Sequence, residues 1–578
     1  MKRRFMALVM AGLMTASVVT GCGNSSGGAK TADSAKTAET TKTAGTTEKT
    51  EGTAETQNKN DESIMNAEEV DNSYVLPEIS AESKDITSLD PTDTKSDGKN
   101  ALWEIYEMLY EVDGFGGDMF PMLADGRKGE FGGYDHEEGT GDYTVYIHDN
   151  IYDSAGNHIT ANDVAFSYDL TFAAGQTSGW SAYSKGCVEV IDDYTVTFHF
   201  ANELNKMGEI ENIWARCFII SEKAYNDSPS KLVSDACGSG PYKLTDFTVG
   251  ASVVIEARDD YWQTDESMLS QYQRANVKKI TYKVITESTQ FVVGLQTGEV
   301  DCVEDSMTSD LIGDFQEGGS YSDRYSVYQF KNNLSTYMMA NCSEDSICKD
   351  VNMRNAIFYA VDTKGIQAAL GGAKVAAVTN SLGSDVFSDY NPAWDTWDNY
   401  QTAPADLETV KKYLDAAGYN GETVTILATQ AFQNYCQIVQ GMLMNAGINC
   451  EITLFDYGTY KTTKANSKTW DVVIDQMAAS DYLVNVWSHA MDVSNTSTGL
   501  TDNFVNDPEW QEMLDLCKVN STHTEENMDA WWQHCVDNAY LMGLAVDYVN
   551  VVYPKNMSSI LMTDKNHIVF GGCTYTEQ

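Results

Sequence analysis

Two stretches of the chain alternate apolar and polar residues with a period of two. In Tyr143 to His148, Tyr143, Val145 and Ile147 fall on one side. In Tyr194 to Phe200, Tyr194, Val196, Phe198 and Phe200 face one way and Thr195, Thr197 and His199 the other. Such alternation predicts half-buried strands of an antiparallel sheet. Ile280 to Ile285 predicts a further strand. It runs into a helix over 288–297 with Phe291, Val292 and Leu295 on one face and Gly298 as its stop. Val300-Asp301 starts another extended piece, so this region reads as β-α-β.

The second half repeats that order. Asp406 predicts the cap of a helix whose stripe is Leu407, Val410 and Leu414 and whose end is Gly418. Thr423 to Leu427 predicts a strand, Phe432 to Ala446 a helix, Ile448 to Phe455 a strand, and Trp470 to Asp475 another. Strand, crossover helix and strand imply parallel pairing with a right-handed connection. The expected class is mixed α/β, with at least one lobe carrying a mainly parallel sheet. In open α/β sheets ligands sit beyond the carboxyl ends of the strands. Two loops leave such ends, Ala428 to Asn434 and Gln476 to Tyr482. Asp481 in the second is a carboxylate where a ligand cation would arrive, with Tyr482 beside it. The competing reading is that Asp481 caps a turn.

The beginning of the chain is of another kind. Lys2-Arg3-Arg4 precedes an apolar run from Phe5 to Val19, and Val19-Thr20-Gly21 leads into Cys22. The pattern resembles a bacterial lipoprotein signal, which implies removal of 1–21 and lipidation of Cys22; such a run is not a membrane-spanning helix. From Gly23 to about Glu62 the chain is Ser, Gly, Ala, Thr, Lys and Glu, and this predicts a disordered tether over 22–70. The chain beyond the tether is long enough for two or three lobes.

The charge narrows the partners. Asp and Glu number 85 against 38 Lys and Arg, a net of -47. Nucleic acid and anionic membrane surfaces would be repelled, so neither is expected as a partner. Twelve cysteines include Cys22, and the remaining odd number cannot all pair within one chain. Cys342 and Cys348 bracket a short polar loop and are the expected local disulfide. No Cys/His spacing suggests zinc and the eight histidines are scattered, so neither metal nor cofactor is expected.

Several segments, in order, resemble the extracytoplasmic solute-binding proteins of ABC importers, the peptide- and nickel-binding family. Tyr106-Glu107-Met108-Leu109 is similar to its YEGL segment, and Pro121-Met122-Leu123-Ala124 to its P-x-LA. Ile159-Thr160-Ala161-Asn162-Asp163-Val164 is similar to its LTAEDV, and Gly238-Ser239-Gly240-Pro241-Tyr242-Lys243-Leu244 with Asp260-Tyr261-Trp262 to GTGPYKL and DYW. Leu295-Gln296-Thr297-Gly298-Glu299-Val300-Asp301, Val351 to Asp362 and Ala416-Ala417-Gly418-Tyr419 complete the series, which runs from about residue 100 to 555. The resemblance implies a two-lobed periplasmic-binding-protein-like clamp with a small extra domain inserted in the first lobe. Lobe I would cover 71–327 with the insertion at about 106–185, lobe II 328–535, and the return to lobe I 536–578. Peptide-binding members hold the ligand's amino terminus with an aspartate that matches Asp481. Here the Asp481-Tyr482 pair is retained and the Asp-Pro that often follows is not.

The resemblance implies a monomeric, lipid-anchored binding protein, not an enzyme, on the outer face of the cytoplasmic membrane. It would capture short peptides and deliver them to an ABC permease. Asp481, Tyr482, Trp397, Asn434 and, from the opposite lobe, Glu107 are the candidate ligand residues. Trp397 also fits a core role, and Glu107 a helix surface. The alternatives are an oligosaccharide or other non-peptide ligand, and a sensing role. An exported hydrolase is disfavoured, because nothing fixes a catalytic carboxylate pair and no nucleophile elbow is present.

Overall fold

A computed structural model describes residues 78–576 except 84–85, 93–98, 114–116, 176–179, 305–306, 308–310, 380, 382, 404, 478–481, 493–504, 506 and 564–566. The expected leader, Cys22 and the expected tether lie outside the described residues. No helix among those described is long and apolar enough to cross a membrane.

The first lobe is organised by a four-stranded sheet in the order Glu78–Ser83, Lys279–Val284, Ser252–Ala257, Tyr242–Thr248. The first pair is parallel and the other two are antiparallel. Alternate residues Val253 and Ile255, and Ile280 and Tyr282, enter one core, as period-two burial requires. Helix Ser288–Thr297 stops at Gly298, whose φ of 74° suits a residue without Cβ. The chain then returns beside the first strand through a parallel bridge between Ala81 and Cys302, giving the expected β-α-β.

The inserted part carries its own antiparallel sheet, in the order Tyr134–His136, Asp142–Tyr146, Thr195–His199, Val188–Asp192. Tyr143 pairs with Phe198 and Val145 with Val196, so both predicted strands face one core. That core also holds Leu204, Trp214, Ile219 and Trp262. An insertion ending at 185 is therefore too short, because it would cut away the strand that Asp142–Tyr146 needs as partner.

The second lobe has a six-stranded sheet in the order Ala376–Ala377, Leu541–Pro554, Tyr325–Ala340, Val472–Met477, Val424–Thr429, Cys450–Phe455. The last three are parallel, joined by helices, and the others antiparallel. The sheet is mixed rather than mainly parallel. Helix Leu407–Ala417 is capped by Asp406, which accepts the Glu408 amide at 3.0 Å. Its stripe is narrower than expected: Val410 is buried, while Leu407 is 49% exposed.

Two long strands, Tyr325–Ala340 and Leu541–Pro554, pair antiparallel and serve both lobes. Leu541, Met542, Leu544 and Ala545 lie in the lobe II core, whereas Val551 lies in the lobe I core. The return to lobe I thus falls within this strand and not at 535, since Cys535, Val536 and Ala539 are still packed in lobe II. The pairing slips midway: Lys331 faces Tyr548 and Ser335 faces Val546, so 332–334 bulge opposite Asp547 alone.

Candidate functional site

Beyond the carboxyl ends of the parallel strands, where strand order places a ligand crevice, three elements converge. Helix Gln433–Asn445 follows strand Val424–Thr429 and places Tyr435 at its first turn. Strand Val472–Met477 contributes Gln476 near its end. The connecting strand contributes Asp547 at the bulge. Tyr435 donates its hydroxyl to Asp547 Oδ1 at 3.2 Å, and Gln476 Nε2 donates to Oδ2 at 3.5 Å. Burial raises the Asp547 carboxyl above its usual range, against the pull of these two bonds. The aromatic and the amide come from or beside the two loops that the strand order points to, while Asp547 is new. Its signal was a single acid within the apolar run from Leu541 to Val552.

Of the expected ligand residues, Asp481 lies outside the described residues. Tyr482 is half-buried, precedes helix Leu483–Met491 and meets the His523 ring edge-on at 6.3 Å. That helix is held from a distance in sequence. Asp389, with a side chain only 3% exposed, accepts the Leu483 amide at 2.7 Å and the Val484 amide at 3.1 Å, with His523 Nε2 at 3.9 Å. Burial raises the Asp389 carboxyl, while the two amides and His523 draw it down. Asn434 is exposed on the first turn of its helix, and Trp397 is half-buried against the lobe II core.

Glu107 is a correction. It is 1% exposed and accepts from Tyr261 Oη at 2.6 Å, Gln273 Nε2 at 2.7 Å and Trp262 Nε1 at 2.8 Å. Both oxygens are engaged inside lobe I, so the residue ties that lobe together and offers nothing to a ligand. The Cys342–Cys348 disulfide is a second correction, since both are free thiols. Cys348 is enclosed in the lobe II core, and Cys342 turns back to the Ala340 carbonyl at 3.7 Å. Burial pushes the Cys342 thiol up to about 11, which leaves little reactive thiolate at neutral pH.

The family of bacterial extracellular solute-binding proteins, family 5, matches residues 121–497. The chain belongs to it. The oligopeptide-binding protein OppA of Bacillus subtilis is 20% identical over 59% of this chain and 63% of its own. The nickel-binding periplasmic protein of Escherichia coli is 22% identical over 78% of this chain and 84% of its own. HbpA2 from Haemophilus parasuis superposes with a TM-score of 0.71 at 17% identity, over 86% of this chain and 100% of that one. The chain covers 42%, 65% and 63% of the length of three of the relatives it matches. The shared two-lobed fold accounts for the long paired strands that run from one lobe into the other.

Within this family-5 chain the inserted subdomain also touches lobe II directly. Met207 donates its amide to the Lys518 carbonyl at 2.8 Å and Asn520 donates to Asn205 at 2.7 Å, with Lys206 bridged to Val519. Asn485 Nδ2 donates to the Met207 carbonyl at 3.0 Å, and the Met207 side chain packs on the lobe II core. The sequence carries no sign of this contact, because main-chain pairing between distant loops leaves no residue pattern.

Proposed function

We propose that this protein is a lipid-anchored extracellular solute-binding protein that captures short peptides in the crevice and hands them to an ABC importer permease. The observation that carries the reading is family membership, joined to the convergence of Tyr435, Gln476 and Asp547 beyond the carboxyl ends of the parallel strands. Relatives named as oligopeptide- and dipeptide-binding proteins support peptides as the ligand class. The expected contact is Asp481 to the ligand's α-ammonium, a charge-assisted bond that strengthens as water leaves the closing cleft. Main-chain pairing of an extended peptide, largely indifferent to side chains, would supply the rest. Chain closure on the ligand is a hinge motion about the paired strands. Anchoring at Cys22 holds the clamp near its permease and raises the concentration that the permease meets.

The test is direct. Protein purified without denaturation is examined by native mass spectrometry for a co-purified peptide, and tripeptides are titrated by calorimetry. Asp481→Ala is expected to weaken tripeptide binding by roughly ten- to a hundredfold, the range of a lost buried charge-assisted bond. An oligosaccharide in the cleft, with no tripeptide binding, would overturn the peptide reading.

A further inference from the structure

We propose that Asp547 is a second cation-recognition point in the crevice, so that the clamp selects ligands carrying a side-chain ammonium or guanidinium. The proposal rests on the reading above that the crevice is the ligand site, and it narrows the ligand class to basic peptides.

Three observations carry it. The first is the imbalance of charge. Among the described residues Asp547 has no ion-pair partner, and its bonds come only from two neutral donors, Tyr435 and Gln476. An ionised carboxylate offers about four acceptor positions, so two weak bonds leave it with capacity to spare. The second is position. Asp547 stands opposite the bulge at 332–334 in the paired lobe-connecting strands, and its two donors lie in or beside the loops that strand order assigns to ligand. The third is the setting. Its sheet neighbours are Ala376, paired with it, Ala545, two residues back on the same face, and Asn332, Asn333 and Leu334 of the bulge opposite, none of them charged. Lys331, one register step away opposite Tyr548, has its ammonium held by Asp385.

A half-buried carboxylate without a counter-charge is costly to keep ionised, and burial raises its proton affinity here. A ligand cation would remove that cost on binding. The hydroxyl of Tyr435 and the amide of Gln476 would then fix the carboxylate's orientation rather than neutralise it. Thr336, whose side chain is buried, faces Gln476 across the sheet and adds a neutral polar atom to this neighbourhood.

The experiment compares two tripeptides, Lys-Lys-Lys and the same peptide with all three side chains Nε-acetylated, by calorimetry at physiological ionic strength; spermidine serves as a free polyamine. The expected result is binding roughly tenfold tighter for the charged peptide, a ratio that Asp547→Asn brings to about one. The chain's overall acidity attracts any cation, but Asp547→Asn changes it by a single charge, so only a local contact gives this pattern. Equal affinity of the two peptides for the wild-type protein overturns the proposal, keeps the peptide reading and does not depend on the variant's folding. Binding of spermidine alone, abolished by Asp547→Asn, supports Asp547 and removes the peptide. No binding of any of the three overturns both.

Discussion

The main-chain amide of Met207 donates to the carbonyl of Lys518 at 2.8 Å, and this bond joins the inserted subdomain to the second lobe. The Lys518 side chain is in turn held by Asp492 and Asp515 within lobe II. The two lobes are thus connected by the paired long strands and by a separate latch.

Breaking the latch is expected to open the clamp. Met207→Pro removes the donor, and one such bond contributes about 1 kcal/mol net. That shifts the ratio of closed to open forms about fivefold. Small-angle scattering of ligand-free protein should show a larger radius of gyration for the variant. Identical radii would mean that the long strands alone set the lobe arrangement.

Glu104 predicts a pH dependence of stability. It is fully buried, with Oε1 accepting the Gly571 amide at 3.1 Å and Oε2 lacking a partner among the described residues. Burial pushes its pKa from 4.5 up to about 8, against two backbone bonds that lower it. The folded state therefore holds this proton where the unfolded chain has released it. Between pH 4.5 and about 8 this group's contribution falls as pH rises, by up to about 1.4 kcal/mol per unit. Glu104→Gln removes the titration, so its stability relative to wild type should improve from pH 5 to pH 8. Parallel denaturant curves across that range would contradict the assignment.

Arg258 joins segments that are far apart in sequence. It is 6% exposed, and its guanidinium donates to the carbonyls of Tyr152, Asp153, Gly238, Ser239 and Gly240 at 3.0 to 3.3 Å. Its Nε meets Asp260 Oδ1 at 3.1 Å. A lysine ammonium cannot reach that fan of acceptors from one point. Arg258→Lys should cost about 3 kcal/mol, because several buried carbonyls lose their donors. Calorimetry would show this as an early transition of lobe I, and an unchanged profile would refute it.

Much of this architecture was legible in local patterns. Val196 and Phe198 alternate with polar neighbours, and Gly298 and Gly418 end their helices with positive φ, as one-dimensional rules require. Lobe boundaries were less legible. A strand such as Leu541–Pro554 is apolar over most of its length, and nothing local marks where it leaves one core for another. Glu107 was misread for a related reason: its three donors, Tyr261, Trp262 and Gln273, lie more than 150 positions away. The loops Ala428 to Asn434 and Gln476 to Tyr482 follow from strand order alone as places for a ligand. Asp389 and Asp547 do not, since each acts on a segment that only the tertiary fold brings near.

Asp389 supplies the last prediction. It caps helix Leu483–Met491 from a position 94 and 95 residues away, and Tyr482 directly precedes the capped amides. Loss of a cap costs about 1 kcal/mol. Asp389→Ala should therefore fray the first turn, raise hydrogen exchange at Leu483 and Val484, and weaken tripeptide binding about fivefold. Asparagine caps nearly as well as aspartate. Asp389→Asn should accordingly restore protection and most of the affinity. If Asp389→Asn bound as poorly as Asp389→Ala while its amides stayed protected, the carboxylate's charge, and not the cap, would be what the ligand senses.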